Sequence, residues 1–598
     1  MSAICITLGH HASVLYIDQN NKVIGYEEER LNKIKASSLF PILALKLIEK
    51  KCNIKKGSFV FVTHWFDQYD FYQSSSKYFN LEFFKEFVQR YQLVPHFLSS
   101  EFTHHDAHAY ASLAFFRSKL TIKQSLQLEQ KDKIHFIVAD GYGNSQEVIS
   151  IYEMEVGCLH KTKTTKDTPP LKLVEKKYGY QYSLGLMYKF ACGFVGLKEN
   201  QDEYKFLGYE AHLKDEFSDV EIQSLTVKSC NIASRLWIKM SAQPDARRPG
   251  TSIKQGKMIK SDELYFVKDQ WIEHFEELLE SLHLSTTNDI YKVRVAIAFY
   301  VQSVVEHLIR LLILKHDIKH IGLSGGLFYN VKLNNLILKK VSGLLSVTPV
   351  AGDQGCGIGM YEYYIGGFPF GNLKYGQRPS FAQYQDKLKT TEYCQYSQYV
   401  SFFKKNERSS LINYVSDQLK ANRVINVVLR HMEFGPRALC NTSTLALPYL
   451  DNVAYINSLN QRSSIMPMAP VLQLESAGLF FDENEVQRVV GSNLFMVITH
   501  DYHTPDLEYY GGVMHKYPLY EAWSGRPQFI TKDTSFIYDV LELIKDKHPI
   551  LINTSFNIHG QPIVYSLEDI LNSFKFQVDQ ALSKKQPPPL LVLSDLDE

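Results

Sequence analysis

No two of the eight cysteines form a Cys-x-x-Cys pair, which excludes a cysteine-based zinc ribbon and leads us to expect a chain kept reduced in the cytoplasm. Cys356 and Cys440 fall in glycine-rich or conspicuous segments, where a small buried thiol is the simplest reading. Net charge is also missing: 65 basic against 64 acidic side chains leave +1, so no global field attracts a polyanion and only a local basic groove remains open. No apolar run reaches about 18 residues, and the start, MSAICITLGHH, has no basic leader, so neither membrane spanning nor secretion is expected. Arginine is scarce, 16 residues against 49 lysines. At 598 residues the chain has room for two or three cores.

What is present begins with a repeated pattern. Ile4 to Leu8, the polar corner Gly9-His10-His11, Val14 to Ile17, a turn at residues 18–21 and Val23 to Tyr26 read as strand, turn, strand, turn, strand. Ile134 to Ala139, the turn Asp140-Gly141-Tyr142-Gly143-Asn144 and Val148 to Tyr152 repeat it. Matching hairpins predict a duplicated α/β domain whose turns face one cleft.

The segment Thr103-His104-His105-Asp106-Ala107-His108 is the densest in chemistry. On a helix His104 and His108 share a face and reach one ion; alone, such a pair more often caps or solvates a helix. Asp140 and Asp353, each after a strand-like run, are available carboxylates. Two histidines and an aspartate suit iron first, with manganese or magnesium as alternatives, over a structural zinc.

Helices are expected near 40–51, 79–92 and 104–117, with a buried one from Val293 to Leu314. Residues 161–166 read as a solvated loop, and the basic stretch 240–262 as a surface loop or an acceptor-binding element. Ile321 to Leu323 leads to Ser324-Gly325-Gly326 and Asn330, an order that brings backbone N–H groups to a phosphate or ribose. Val347 to Val350 leads to Asp353. The aperiodic segment 366–390 marks a boundary, giving domains of 1–370 and 371–598. Beyond it, strands are expected at Val424 to Leu429 and Pro549 to Ile552. Arg430, Arg437, Arg462 and Arg526 concentrate there, fitting a phosphate-bearing substrate or, for one or two of them, salt bridges between domains.

The segments GHHAS (9–13), EEER (27–30), HHDAHA (104–109), DGYG (140–143), EYKFLG (203–208), SGGLFYNVKLN (324–334), GDQGCG (352–357), MEFGPRAL (432–439) and NTSFNIHGQPIV (553–564) occur in an order that resembles the O-carbamoyltransferase family of nodulation-factor and antibiotic biosynthesis. The resemblance implies a duplicated actin/Hsp70-like N-terminal domain for carbamoyl transfer and a C-terminal α+β domain that joins carbamoyl phosphate and ATP into carbamoyl-adenylate. It implies His104, His108 and Asp353 as metal ligands, and His10, with Asp140, as catalytic groups. Glu203, Lys205, Gly325, Gly326 and Asn330 would hold the adenylate. Arg437, Arg462, Arg526, Asn553, Ser555 and Asn557 would bind carbamoyl phosphate and ATP.

The chain departs from the family at His11, usually Asp, and at Arg430-His431, usually Gly-Arg. Cys440 and Thr442 stand for Gly and Arg, Met466-Pro467-Met468 for Arg-Pro-Phe, and Gln561 for Glu, so two expected cations are absent from the activating half, against one replacement offered by Arg430. The acceptor is expected to be a hydroxyl, with the hydroxymethyl group of a modified pyrimidine nucleotide or DNA favoured, as in bacteriophage relatives, because the lysine-rich, arginine-poor composition fits an A/T-rich genome. A sugar or secondary metabolite is the alternative, and a nucleotide-binding scaffold with a decayed activating domain is the reading from a different class. The location is then the cytoplasm, that of the host for a phage protein, with no membrane partner; a homodimer is an open option.

Overall fold

The computed structural model describes residues 2–64, 80–159, 169–242, 261–381, 384–462, 468–517 and 522–597. The loop expected at 161–166, most of that at 240–262, and Met466-Pro467 lie outside the described residues.

Two five-stranded sheets share one topology. The first comprises β1 (Ala3–Thr7), β2 (Ser13–Ile17), β3 (Val23–Glu27), β4 (Phe59–Thr63) and β5 (Val94–Phe97), in the order β3-β2-β1-β4-β5. The second comprises β6 (Lys133–Ala139), β7 (Glu147–Glu155), β8 (Lys172–Tyr178), β9 (His320–Ser324) and β10 (Leu345–Val347), in the order β8-β7-β6-β9-β10. In both, the first three strands are antiparallel neighbours and the last two run parallel to the first. Short polar turns force the antiparallel pairs, and helical crossovers produce the parallel ones. The hairpin repeat in the sequence is therefore a repeat of the whole sheet.

β10 ends at Val347, short of the expected Val350. Pro349 has no N–H for a ladder, and Thr348 instead turns its N–H to Leu323 O (3.0 Å).

Between the sheets lies α1 (His104–Lys119), with twelve of its sixteen residues buried. An all-round buried helix needs small residues where backbones meet. At Gly359, on the packed helix 356–364, an added Cβ would fall 1.7 Å from Ala107 O. Tyr110, Leu113 and Phe116 join Ala3, Cys5 and Phe61 of the first sheet and Phe136 and Val138 of the second in one core. α2 (Leu184–Phe194), α3 (Glu203–Tyr209) and α4 (Ile290–Lys315) cover the outer face of the second sheet. α4 is long and apolar enough to cross a membrane, but 67% of its apolar window is buried here, packed on the helix 219–241 and on the sheet side of the core. α5 (Val331–Lys340) links β9 to β10.

The C-terminal half is built on a mixed seven-stranded sheet: β11 (Val400–Phe403), β12 (Ile425–Leu429), β13 (Thr442–Ala446), β14 (Ala469–Gln473), β15 (Gln528–Ile530), β16 (Ile550–Ser555) and β17 (Leu590–Ser594), ordered β11-β17-β12-β13-β16-β14-β15. β16 continues past the expected end at Ile552, because Asn553 pairs with Ala469 and Ser555 with Ser443. Asn553 is thus held by strands on both sides, and Thr554 and Ser555 by one.

The two halves are fastened at both N-terminal sheets. Val490 N donates to Leu345 O (2.7 Å) and Val347 N to Ser492 Oγ (2.6 Å), which covers the open edge of β10. At the first sheet the EEER segment is a buried clamp. Arg30 bridges Glu27 (3.0 Å) and Glu29 (2.8 Å) and donates to Gly435 O (2.9 Å), while Gly435 N donates to Glu27 (3.1 Å). Glu28 instead accepts from Ala44 N (2.9 Å) at the start of the helix 42–51. The segment 366–381 is built into the structure: Gly376–Gln377 pairs with His431–Met432, and the fully buried Arg378 donates to the carbonyls of Leu429, Val564 and Tyr565 and to Thr442 Oγ1 (2.8 Å). Thr442, which stands where an arginine is usual by resemblance, is thus an acceptor for an arginine from the connecting segment.

Candidate metal centre and interdomain cleft

Thr103 starts α1 with a capping box: its hydroxyl accepts from Asp106 N, and Asp106 accepts from Thr103 N (2.7 Å). His104 N is taken by Asn144 Oδ1 (2.7 Å) from the β6–β7 turn. This fixes the first helical turn, and one turn on, His108 Nε2 lies 3.2 Å from His104 Nε2. Asp140, at the end of β6, points Oδ2 at both rings, 3.2 Å from His104 and 3.5 Å from His108. Asp353 approaches from beyond β10, with Oδ1 3.4 and 3.8 Å away. The other ring nitrogens are held from behind: His108 Nδ1 meets Ser324 Oγ (3.3 Å) and His104 Nδ1 the Cys356 thiol (3.9 Å).

Burial alone would push these imidazoles down. Cys356 and the facing carboxylates outweigh it and raise both His104 and His108 well above the ordinary histidine value. Burial likewise opposes ionisation of the carboxylates, yet the two histidines hold Asp140 well below its usual range and lower Asp353 too. Two carboxylates that stay ionised when buried, facing two imidazoles that gain from a positive charge between them, suit a divalent cation, and with the outer ring nitrogens tethered they form a coherent donor set for one. Asp140 is nearer to both rings than Asp353, which makes it a candidate ligand as well as the expected partner of His10. Cys356 lies within 4.8 Å of donor atoms of His104, His108 and Asp353; its closest nitrogen is the outer one of His104, so it backs the ring.

His10 stands at the mouth of this centre, its outer edge open to solvent and the rest of the ring set in the cleft. Desolvation in the cleft, against the pull of Asp353, holds it below the usual imidazole value. Beneath it is His64, which the sequence reading did not single out: burial brings it down to about 3, so it is a neutral imidazole. Its Nε2 would sit 3.1 Å from a Cβ on Gly9, whose φ is +85°, so this corner needs glycine twice over.

The glycine pair after β9 serves the metal centre. A Cβ on Gly325 would fall 2.2 Å from Ala139 O, and Gly326 N donates to Asp140 Oδ1 (3.1 Å). Asn330, expected to grip an adenylate, is turned inward. Its Oδ1 caps α5 at Leu333 N (3.0 Å), and its Nδ2 reaches Tyr188 Oη (2.8 Å) and Gln302 Oε1 (2.7 Å). Gln302 in turn donates to Glu306 (2.7 Å).

Glu306 has consequences for stability. Burial first, then the charge of Glu210, raises it to about 7. A carboxyl raised in the folded state stabilises below the unfolded value, and that stability is lost as pH climbs from about 4.5 through about 7. Glu306→Gln should match the parent at pH 4 and exceed it by about 1–3 kcal/mol at pH 8, as read by denaturant unfolding at both pH values.

Glu203 and Lys205 do not form a pair. Lys205 meets Asp202 (2.6 Å) and reaches across the cleft to His559 Nε2 (3.1 Å), while Glu203 accepts from Asn200 N (2.5 Å). Asn553 also faces inward, donating to Ala438 O (3.0 Å) and Gln528 Oε1 (2.6 Å), where it fixes the chain beside Arg437. Arg462, Ser555 and Asn557 do come together: Arg462 donates to Thr554 Oγ1 (2.6 Å), Ser555 Oγ (3.0 Å) and Asn557 Oδ1 (2.8 Å). None of these acceptors is charged, and burial lowers Arg462 to about 10.

Arg437 and Arg526 lie in an open cavity of about 70 Å³ between the halves, with Tyr204, Tyr329, Lys332 and His515 on its walls. Burial lowers both, and Arg437's own charge pushes Arg526 further down. Among the described residues neither has a carboxylate at ion-pair distance, and Arg437 Nε is buried without an acceptor. Tyr329 connects the cavity to the metal centre, since its hydroxyl accepts from Gln354 (2.9 Å), the residue after Asp353. Arg430 lies elsewhere, 3.9 Å from Asp597, and adds nothing to this cavity. Asp202 and His559 stand in or beside the family segments, but nothing in their spacing says that Lys205 would join them.

The carbamoyltransferase N-terminus model matches residues 3–361, more than half of the chain, and the carbamoyltransferase C-terminus model matches residues 416–584. An uncharacterized protein of Methanocaldococcus jannaschii is 30% identical over 266 residues, covering 44% of this chain and 48% of that one. Nodulation protein NolO of Bradyrhizobium diazoefficiens is 29% identical over 277 residues, again 44% and 48%. A shorter stretch of 71 residues is 39% identical to 3'-hydroxymethylcephem-O-carbamoyltransferase of Amycolatopsis lactamdurans, 12% of this chain and 14% of that one. The chain spans about half the length of the first two curated relatives. With its two halves matched in sequence order by the two parts of one family, the chain belongs to the carbamoyltransferase family.

Proposed function

We propose that the protein is an O-carbamoyltransferase whose C-terminal half hydrolyses carbamoyl phosphate to carbamate and phosphate, joins the carbamate to ATP as carbamoyl-adenylate with loss of pyrophosphate, and passes the carbamoyl group to a hydroxyl at the His104/His108/Asp140/Asp353 centre. The observation that carries this reading is a cavity that holds two guanidiniums without a carboxylate at ion-pair distance among the described residues, joined to that centre through Tyr329 and Gln354.

Arg437 and Arg526 hold the polyanions, and their lack of carboxylate partners leaves their donors free for phosphate oxygens. Enclosure between the halves keeps the labile mixed anhydride from water. His104, His108, Asp140 and Asp353 would hold a divalent cation, which would supply Lewis acidity there. His10, neutral because its value is lowered, takes the proton from the acceptor hydroxyl. The release of AMP completes the transfer.

A hydroxymethyl acceptor on a pyrimidine nucleotide or DNA is the substrate we favour. The name of the Amycolatopsis relative, a hydroxymethyl-directed carbamoyltransferase, supports the hydroxymethyl part, and the arginine-poor composition supports the nucleotide part. Eight free thiols support a reducing, cytoplasmic location. The test supplies ATP and carbamoyl phosphate with hydroxymethylated nucleotides and DNAs, aminoglycosides and chito-oligosaccharides, and follows pyrophosphate release and the mass gain of one carbamoyl group. Gain on the hydroxymethylated nucleotides or DNAs is expected. Gain on sugars alone sinks the nucleic-acid acceptor, and absence of pyrophosphate release together with absence of bound metal sinks the enzyme.

A further inference from the structure

Behind the imidazoles, away from the cleft, lies a charged cluster with no part in the chemistry above. Lys176 on β8 is 3% exposed, and its ammonium donates to Glu147 Oε1 (2.7 Å) and Thr103 Oγ1 (3.1 Å), with Asp106 Oδ1 3.7 Å away. Tyr152 donates to that same Asp106 oxygen (2.5 Å), and the other oxygen closes the capping box of α1. A lysine and two carboxylates withdrawn from water are costly compared with an apolar core of equal volume, so their retention calls for a geometric reason.

The cluster joins two segments. Thr103 and Asp106 form the first turn of the helix that carries His104 and His108. Glu147 is where the turn that begins with Asp140 returns to the sheet, and Glu147 O accepts from Gly143 N (2.7 Å). A Cβ on Gly143 would lie 2.9 Å from His105 and 3.2 Å from the His104 Cβ, so this turn already rests against the helix. Lys176 is bonded to both segments at once.

We propose that Lys176, through Glu147, is a positioning residue that clamps the Asp140 turn to the His104/His108 helix and so sets the spacing of three of the four metal ligands. The inference rests on the reading of these side chains as ligands.

The test compares the full chain with Lys176→Arg, Glu147→Gln and the double variant Lys176→Met/Glu147→Gln, which removes both charges together and leaves neither one alone. Cobalt(II) affinity is read from ligand-field absorption against a competing chelator, and amide hydrogen exchange is followed at residues 103–108 and 140–147. The double variant should keep a parental melting temperature within a few degrees, bind cobalt about 10–100-fold more weakly, as outer partners of ligands do on removal, and exchange faster in those two segments. Glu147→Gln, which still offers Lys176 an acceptor, should lose less, and Lys176→Arg should stay close to the parent. Cobalt affinity of the double variant within about twofold of the parent overturns the clamp, as does equal loss with Lys176→Arg. A parent that binds no cobalt overturns the metal reading itself; the clamp then stands or falls on whether exchange changes in the two segments.

Discussion

His108→Ala should abolish carbamoyl transfer while leaving ATP- and carbamoyl-phosphate-dependent pyrophosphate release intact. His108 is fully buried, and its Nε2 is one of the two nitrogens that face Asp140 and Asp353. Its loss removes a quarter of the donor set and leaves the carboxylates opposite one imidazole. Lewis-acid stabilisation is worth several kcal/mol, so transfer should fall about a thousandfold or more. Bound metal, counted by elemental analysis, should drop with it. In the proposed reaction pyrophosphate release depends on Arg437, Arg462 and Arg526, which stand on segments of the C-terminal half away from His108. Its persistence also shows that the chain is folded, since Arg30, Glu27 and Ser492 knit the halves together. Loss of both activities in a folded variant would mean that the histidines support the whole molecule, and loss of neither would remove them from the chemistry.

The duplicated sheet and the histidine helix were legible in the sequence because each rests on a local period. Alternation between polar glycine-bearing turns gives the hairpins, and a spacing of four gives two rings on one helical face. Asp140 and Asp353 were recognisable as carboxylates at strand ends, but which of them stands nearer the imidazoles depends on how β6 and β10 are offset in the sheet. Asn330 and Asn553 look like ligand-binding amides in a linear reading because they follow glycines or a strand. Their actual partners, Gln302 for one and Gln528 for the other, are 28 and 25 residues away. Lys176 and Arg378 were missed for the same reason. A buried cation is expensive until its partners arrive from other elements, and nothing in EKKY or GQRPS names those partners.

Arg526→Met should make the protein more stable and the activating reaction far slower. Arg526 shares its cavity with Arg437, and burial together with that neighbouring charge pushes it well below the ordinary guanidinium value. The cavity therefore brings two like charges together in low dielectric, with no carboxylate at ion-pair distance among the described residues. Methionine fills similar volume without the charge, and relaxing such a site commonly adds about 0.5–2 kcal/mol, visible as a higher midpoint in urea. The same repulsion is what makes the pair a strong receptor for phosphate oxygens, whose charge cancels it. Removing one donor aimed at developing charge costs on the order of 10²–10³-fold, so pyrophosphate release should fall by that factor. Inorganic pyrophosphate or carbamoyl phosphate should raise the melting temperature of the parent more than that of the variant, because the ligand relieves strain that the variant no longer carries. A variant both less stable and equally active would show that Arg526 is a structural cation with a partner in solution, and would move the polyanion site to Arg462 and its Ser555–Asn557 cradle.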